Sequence, residues 1–168
     1  MKDWIDDHVD LWARELPGLD RRAEGIAVRL QVLSRDLDRR RGAALAAHGL
    51  QNWGFKTLHM LRRGGSPYRA TPGALAGQLG LSPAAMTNRI DALERAGYVE
   101  RGHDRDDRRR VLVTLTKAGH EVWEQAIGDQ RQVEQDFAGQ LGLDEQDLLL
   151  SLLRRLVPAV EAMPPRST

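Results

Sequence analysis

The sequence predicts a mainly α-helical fold with a single small β-hairpin late in the chain. Three observations carry that prediction. Apolar residues recur at helical spacing through most of the 168 residues, as with Ile26, Leu30, Leu33 and Leu37 at i, i+4, i+7 and i+11. Two helix-start signals, Thr71-Pro72 and Ser82-Pro83, follow one another closely. Strand-like composition is confined to "YVER" and the β-branched "VLVTLT", which flank the charged block of "YVERGHDRDDRRRVLV".

Residues 3–15 form the first expected helix, with Trp4, Val9, Leu11 and Trp12 as its apolar members. "LPGLD" breaks it at Pro17 and Gly18. A long helix is expected from about Glu24 to Ala47, stopped by Gly49, and a short one over 52–63 with Phe55, Leu58 and Leu61 inward. "RRGGSPYRA" reads as a loop. Thr71 then caps a helix carrying Leu75 and Leu79, which ends at Gly80. Ser82 caps the next, with Met86, Ile90 and Leu93 as a single buried stripe, ending at Gly97. Two helices joined by so short a turn must cross at a large angle, the helix-turn-helix pattern. The two strands follow, then a helix capped by Thr116 and running to about Gln140. A last helix is expected from a cap at Asp144. Its leucine density exceeds what one face requires and suggests burial against a partner. Trp53 and Trp123 are expected in the core.

The charged block is then the loop of a hairpin that directly follows a helix-turn-helix: a wing. In a winged helix-turn-helix, the second helix enters the major groove of duplex DNA and the loop reaches the adjacent minor groove. Arginine suits that narrow, electronegative groove. Ser82, Ala84, Thr87 and Asn88 on the recognition helix are the expected base and phosphate contacts. Arg109 is the expected wing-tip residue, with Arg105, Arg108 and Arg110 reaching phosphates or pairing with aspartates, and Asp107 shaping the loop. Charge distribution agrees: the chain carries a net charge of only +1, yet residues 39–90 hold eight Lys/Arg and no acid. Arg62 and Arg63 in that stretch are expected to meet phosphates.

Other classes are narrowed by what the sequence lacks. No cysteine is present, which excludes disulfides and thiolate chemistry. The N-terminus, "MKDWIDDHVD", carries acids where a signal peptide needs an apolar run, so a cytoplasmic protein without membrane contact is expected. His8, His48, His59, His103 and His120 have no metal-ligand spacing, no cofactor is expected, and the motifs of the common enzyme classes are missing. A winged helix repurposed for protein–protein interaction is the alternative to a DNA-binding regulator, and steep salt dependence of duplex binding separates the two.

The element order, with "DRDDRRRVLVTLT" and the pattern Asp107, Arg109, Val111, Leu115 and Thr116, resembles the MarR family of winged-helix transcription regulators over about residues 24–162. "WARELPGLD", "SPAAMTNRID" and "GYVER" are similar to its PecS-like, urate-responsive branch. The resemblance implies a homodimer that binds a palindromic operator, as a repressor, and is released by a small anionic or aromatic effector, such as an anionic aromatic metabolite or a purine. It implies a helical extension over 1–20, a dimerisation domain from 24–48 and 117–163, and a DNA-binding domain over 52–116. It also implies an effector site at Trp12, Lys56, Arg89 and Arg101. At Lys56 the branch carries aspartate, so "GFKTL" departs from its "EFDVL". Read from the residues alone, Arg89 borders the core and could instead reach Asp91 or Glu94. Lys56 could point to solvent or pair with Asp36 or Asp38, and Trp12 could serve only to anchor its helix.

Overall fold

A computed structural model describes residues 2–104, 107 and 109–164. The elements run α1 (Trp4–Glu15), α2 (Arg21–Ala46), α3 (Asn52–Arg63), β1 (Arg69–Ala70), α4 (Pro72–Leu79), α5 (Pro83–Arg95), β2 (Val99–His103), β3 (Val111–Leu115), α6 (Lys117–Ala138) and α7 (Leu143–Glu161).

The core lies where α3, α4 and α5 close over the sheet and α6. Leu58, Leu61, Leu75, Met86, Ile90 and Val113 are fully buried. Burying each such side chain contributes about 1.5–3 kcal/mol. The expected inward residues Phe55, Leu58 and Leu61 of α3, Leu75 of α4, and Met86, Ile90 and Leu93 of α5 are all buried there, while Trp53, Leu79 and Trp123 are partly buried against it. Thr71 and Ser82 cap α4 and α5 through backbone N–H groups of Ala74 and Ala85, with proline at the start of each helix. Between the two helices Gly80 adopts a left-handed φ of 62°, a conformation glycine takes without steric cost.

The sheet differs from the expected hairpin. It has three antiparallel strands in the order β1-β3-β2. β2 and β3 pair from Val99↔Leu115 to His103↔Val111, as expected of a wing. β1, inside the stretch expected to be a loop, pairs Arg69↔Thr114 and Ala70↔Val113. A two-residue strand has no periodicity to read. It exists because β3 offers a free edge.

Helix boundaries also shift. α2 starts at Arg21, not near Glu24, because the Asp20 carboxylate accepts from the N–H groups of Arg22 and Ala23. α7 starts at Leu143 after Gly142, so Asp144 lies in its first turn and does not cap it. There Glu145 accepts from the Gly142 N–H at 2.8 Å.

α1 packs on α2 through buried Ile5 and Val9. Arg29 of α2 reaches across to both Asp3 and Asp6. The Asp3 backbone N–H and then Arg29 hold the Asp6 carboxyl below its ordinary pKa, while those two acids raise that of Arg29. Three apolar surfaces have no cover among the described residues. Trp4 is 60% exposed on α1, Ile26, Leu30 and Leu33 are exposed on α2, and α7 buries none of its described residues. The α2 stripe is therefore real, but it faces outward. No helix of the described residues is long and apolar enough to cross a membrane.

Candidate nucleic-acid interface and effector pocket

With Met86, Ile90 and Leu93 buried, α5 turns Ala84, Thr87 and Asn88 outward, and all three are exposed. Thr87 Oγ1 donates to the Pro83 carbonyl at 3.0 Å. Asn88 makes no side-chain bond within the described residues, so its amide is free to read an external edge. Ser82 is exposed, but its hydroxyl is used as the cap of α5.

At the hairpin end Asp107 makes two local hydrogen bonds. Its carboxylate accepts from the Arg109 N–H at 3.0 Å, and its carbonyl accepts from the Arg110 N–H at 2.9 Å. The Asp104 N–H donates to the Arg110 carbonyl at 2.9 Å. This folding back leaves the Arg109 side chain 98% exposed, its nearest carboxylate among the described residues being Asp107 at 3.9 Å. Arg110 lies 3.9 Å from Asp104. Arg105 and Arg108 fall outside the described residues.

Arg62 departs from its expected role. Its guanidinium donates to Glu124 at 3.2 Å and shares a hydrogen bond with His120 Nδ1 at 2.8 Å. It also lies over the Tyr68 and Trp123 rings, 5.1 and 4.6 Å from their centroids. Arg62 is thus an internal strut between α3 and α6, where a cation between two rings and a carboxylate is already satisfied. Arg63 beside it is exposed and has no ion pair within the described residues, so it alone of the two is placed to meet a phosphate.

Arg101 departs too. It bonds Asp91 and Glu94 of α5 through its two terminal nitrogens, and its N–H donates to Glu94 at 3.0 Å. The Asp91 hydrogen bond raises the Arg101 pKa above its ordinary value, with Glu94 adding to this against the opposing cost of burial. Its charge is balanced, which leaves little for an effector. The two acids considered as partners for Arg89 therefore belong to Arg101. Arg89 instead lies over the Trp53 ring, 6.0 Å from its centroid.

Lys56 lines a cavity of about 360 Å³ between α2, α3 and α6. Asp38 lines the same cavity without forming an ion pair with Lys56, and Asp36 is held by Arg39 and Arg40 at 2.5 Å each. Neither Trp12, Arg89 nor Arg101 lines this cavity. Trp12 stays on α1, half exposed, edge-on to His8, which in turn meets Trp4. Of the four residues of the expected effector site, Lys56 alone lines this cavity. Sequence reasoning missed Arg41, His59 and Gln130, which line the cavity beside Lys56. Their signal was weak: residues on three helices far apart in the chain.

Comparison with known proteins places this geometry. Residues 54–111, α3 through the start of β3, match the MarR family model. The chain is 29% identical over 152 residues to the transcriptional regulator PecS of Dickeya dadantii, covering 90% of this chain and 92% of PecS. It is 35% identical to the transcriptional regulator HosA of Escherichia coli over 74 residues, 44% of this chain and 55% of HosA. Among solved structures it is similar to a cysteine-to-serine mutant of MarR from E. coli, at a TM-score of 0.65 and 28% identity, covering 79% of this chain and 96% of that one. The same mutant in complex with operator DNA gives 0.62 and 26%, covering 88% and 99%. YusO of Bacillus subtilis, 20% identical at a TM-score of 0.70 over 87% of this chain and 99% of its own, shares the fold. Residues 54–111 thus carry the match to the MarR family, and over most of its length the chain is similar to winged helix-turn-helix transcriptional regulators.

Proposed function

We propose that the protein is a DNA-binding transcriptional repressor that acts as a homodimer on a palindromic operator and is released by a small molecule. The observation that carries the reading is the pairing of two outward surfaces on one unit. The exposed α5 face of Ala84, Thr87 and Asn88 is tied through Arg101 to a hairpin that projects Arg109 into solvent. A helix of this length fits the major groove, and a lone extended guanidinium fits the minor groove. The MarR structure with operator DNA supports it. On this reading Arg63, Arg109 and Arg110 of the described residues contact DNA. Lys56, and Arg89 stacked on Trp53, belong to the effector-responsive region between the DNA-binding and helical parts.

The test is selection of duplexes from a random-sequence library, followed by titration at several salt concentrations. A palindromic consensus with half-sites about one helical turn apart is expected. Affinity should fall steeply with salt, as when several phosphate contacts release counterions. Recovery of no sequence preference, with flat salt dependence, would instead favour a protein-interaction module.

A further inference from the structure

The outward strip of α5 has a chemical character of its own. Ala84, Thr87 and Asn88 fall at i, i+3 and i+4, so they share one face of the helix, and all are exposed. Ala84 offers only a methyl group. Thr87 Oγ1 donates to the Pro83 carbonyl at 3.0 Å, so its donor is used within the helix and its methyl remains for apolar contact. Asn88 carries the one side-chain amide of α5 and makes no hydrogen bond with it among the described residues.

The charged groups of the same helix are committed elsewhere. Its cations are Arg89 and Arg95. Arg89 is half-buried and lies over the Trp53 ring. Arg95 stands in the last turn and gives its Nε–H to the Asp91 carbonyl at 3.3 Å. The carboxylates Asp91 and Glu94 are both bound to Arg101. Arginine and lysine are the side chains that take the paired O6 and N7 acceptors of guanine, and a carboxylate is what accepts from cytosine N4. Neither chemistry is present on the outward strip. What is present suits an A·T pair. An amide sets a donor beside an acceptor, and of the bases only adenine answers with an acceptor, N7, beside a donor, N6. Methyl groups suit the 5-methyl of thymine, which no other base carries. From Ala84 to Asn88 the helix rises about 6 Å, close to two base steps of about 3.4 Å each, so the strip spans adjacent pairs.

We infer that α5 reads adjacent A·T pairs: Asn88 takes an adenine edge through both groups of its amide, and the methyl groups of Ala84 and Thr87 pack on thymine. The inference rests on the reading of α5 as the helix that enters the major groove, and it names the bases selected there.

The test is selection from a random-sequence duplex library with the full chain, with Asn88→Ala and with Thr87→Ser, which keeps the hydroxyl and removes the methyl. The parent's half-sites are expected to share a run of A·T pairs. Asn88→Ala should relax the preference at one of them and Thr87→Ser at a neighbour, with the urea midpoint and the salt dependence unchanged. Base analogues in the parent's selected duplex then identify the atoms. 7-Deazaadenine, which lacks N7, at the pair marked by Asn88→Ala should weaken the parent roughly tenfold, the scale of a lost bidentate contact, and leave Asn88→Ala unchanged. Deoxyuridine at the thymine marked by Thr87→Ser should weaken the parent about three- to fourfold, the scale of one buried methyl group, and leave Thr87→Ser unchanged. The proposal is overturned if either variant relaxes a G·C pair or relaxes none, or if an analogue weakens parent and variant alike. A parent that remains sequence-selective and salt-dependent in those cases keeps the DNA-binding reading and loses this one. A parent that binds no duplex, or binds all alike with flat salt dependence, overturns both.

Discussion

Arg109 and Arg62 show how differently two arginines in one region can be used. Arg109 is almost fully exposed and, among the described residues, pairs loosely with Asp107, so Arg109→Ala should leave the unfolding midpoint in urea unchanged. It should weaken specific duplex binding by roughly 1–3 kcal/mol, the scale of a lost groove contact. Arg62→Ala should do the opposite first: loss of the contacts to His120, Glu124, Tyr68 and Trp123 lowers stability, by roughly 1–3 kcal/mol on the scale of a broken polar network. Chevron or equilibrium unfolding separates the two variants. Gly119 has the tightest backbone fit. A Cβ there would lie 2.0 Å from the Tyr98 carbonyl oxygen. Gly119→Ala must push the Tyr98 backbone, just before β2, away from α6 and should destabilise by at least the roughly 1–3 kcal/mol typical of overpacking, read as a lower urea midpoint. Sequence could indicate Arg109, because its place before "VLV" fixes it on the hairpin. It could not separate Arg62 from Arg63, since neighbours on a helix point about 100° apart and only the position of α6 decides which one faces inward.

At the scale of elements, local signals were enough wherever an end is closed by its own side chains. Thr71, Ser82 and Thr116 each cap the helix that follows, and their N-caps are legible in the chain. β1 and the assembly of the cavity were not, because both depend on partners distant in sequence. The same holds for Arg101, whose ion pairs to α5 require the hairpin to fold back beside that helix. α1 offers a prediction at this scale. Its latch is the Arg29 contact to Asp3 and Asp6. The Asp6 pKa is lowered in the folded chain, so the folded state binds fewer protons there than the unfolded one does. The latch is therefore at full strength above the ordinary carboxylate range and weakens as pH falls through the lowered value. Amide exchange within α1, corrected for intrinsic rate, should rise on acidification to about pH 3 before that of α3 does. In Arg29→Ala it should already be fast near neutral pH, and equal protection in the two proteins would remove the latch.

At the scale of the whole molecule, the outward apolar faces of α1, α2 and α7 outweigh what a free protomer can leave in water. Residues 1–48 and 117–163 should therefore associate, giving a dimeric mass by sedimentation at micromolar concentration. A Leu152→Glu, Leu156→Glu pair on α7 should lower that mass to the protomer's. The leucine richness of α7 made an apolar face too broad for its own protomer foreseeable, whereas the outward turn of the α2 stripe did not follow from periodicity. A stripe shows that one side is apolar, not which neighbour covers it.

The double ion pair of Arg101 has a consequence for how such a regulator can diverge. By fastening β2 to α5, it ties together the two surfaces proposed to read DNA. The bases recognised within a half-site are then set by side chains on those surfaces. In the proposed homodimer the distance between half-sites is set elsewhere, by the helices that would join the two copies. Mutation can alter either property without disturbing the other. A descendant could keep its recognition residues and still move to operators of different spacing, through changes confined to α2, α6 and α7.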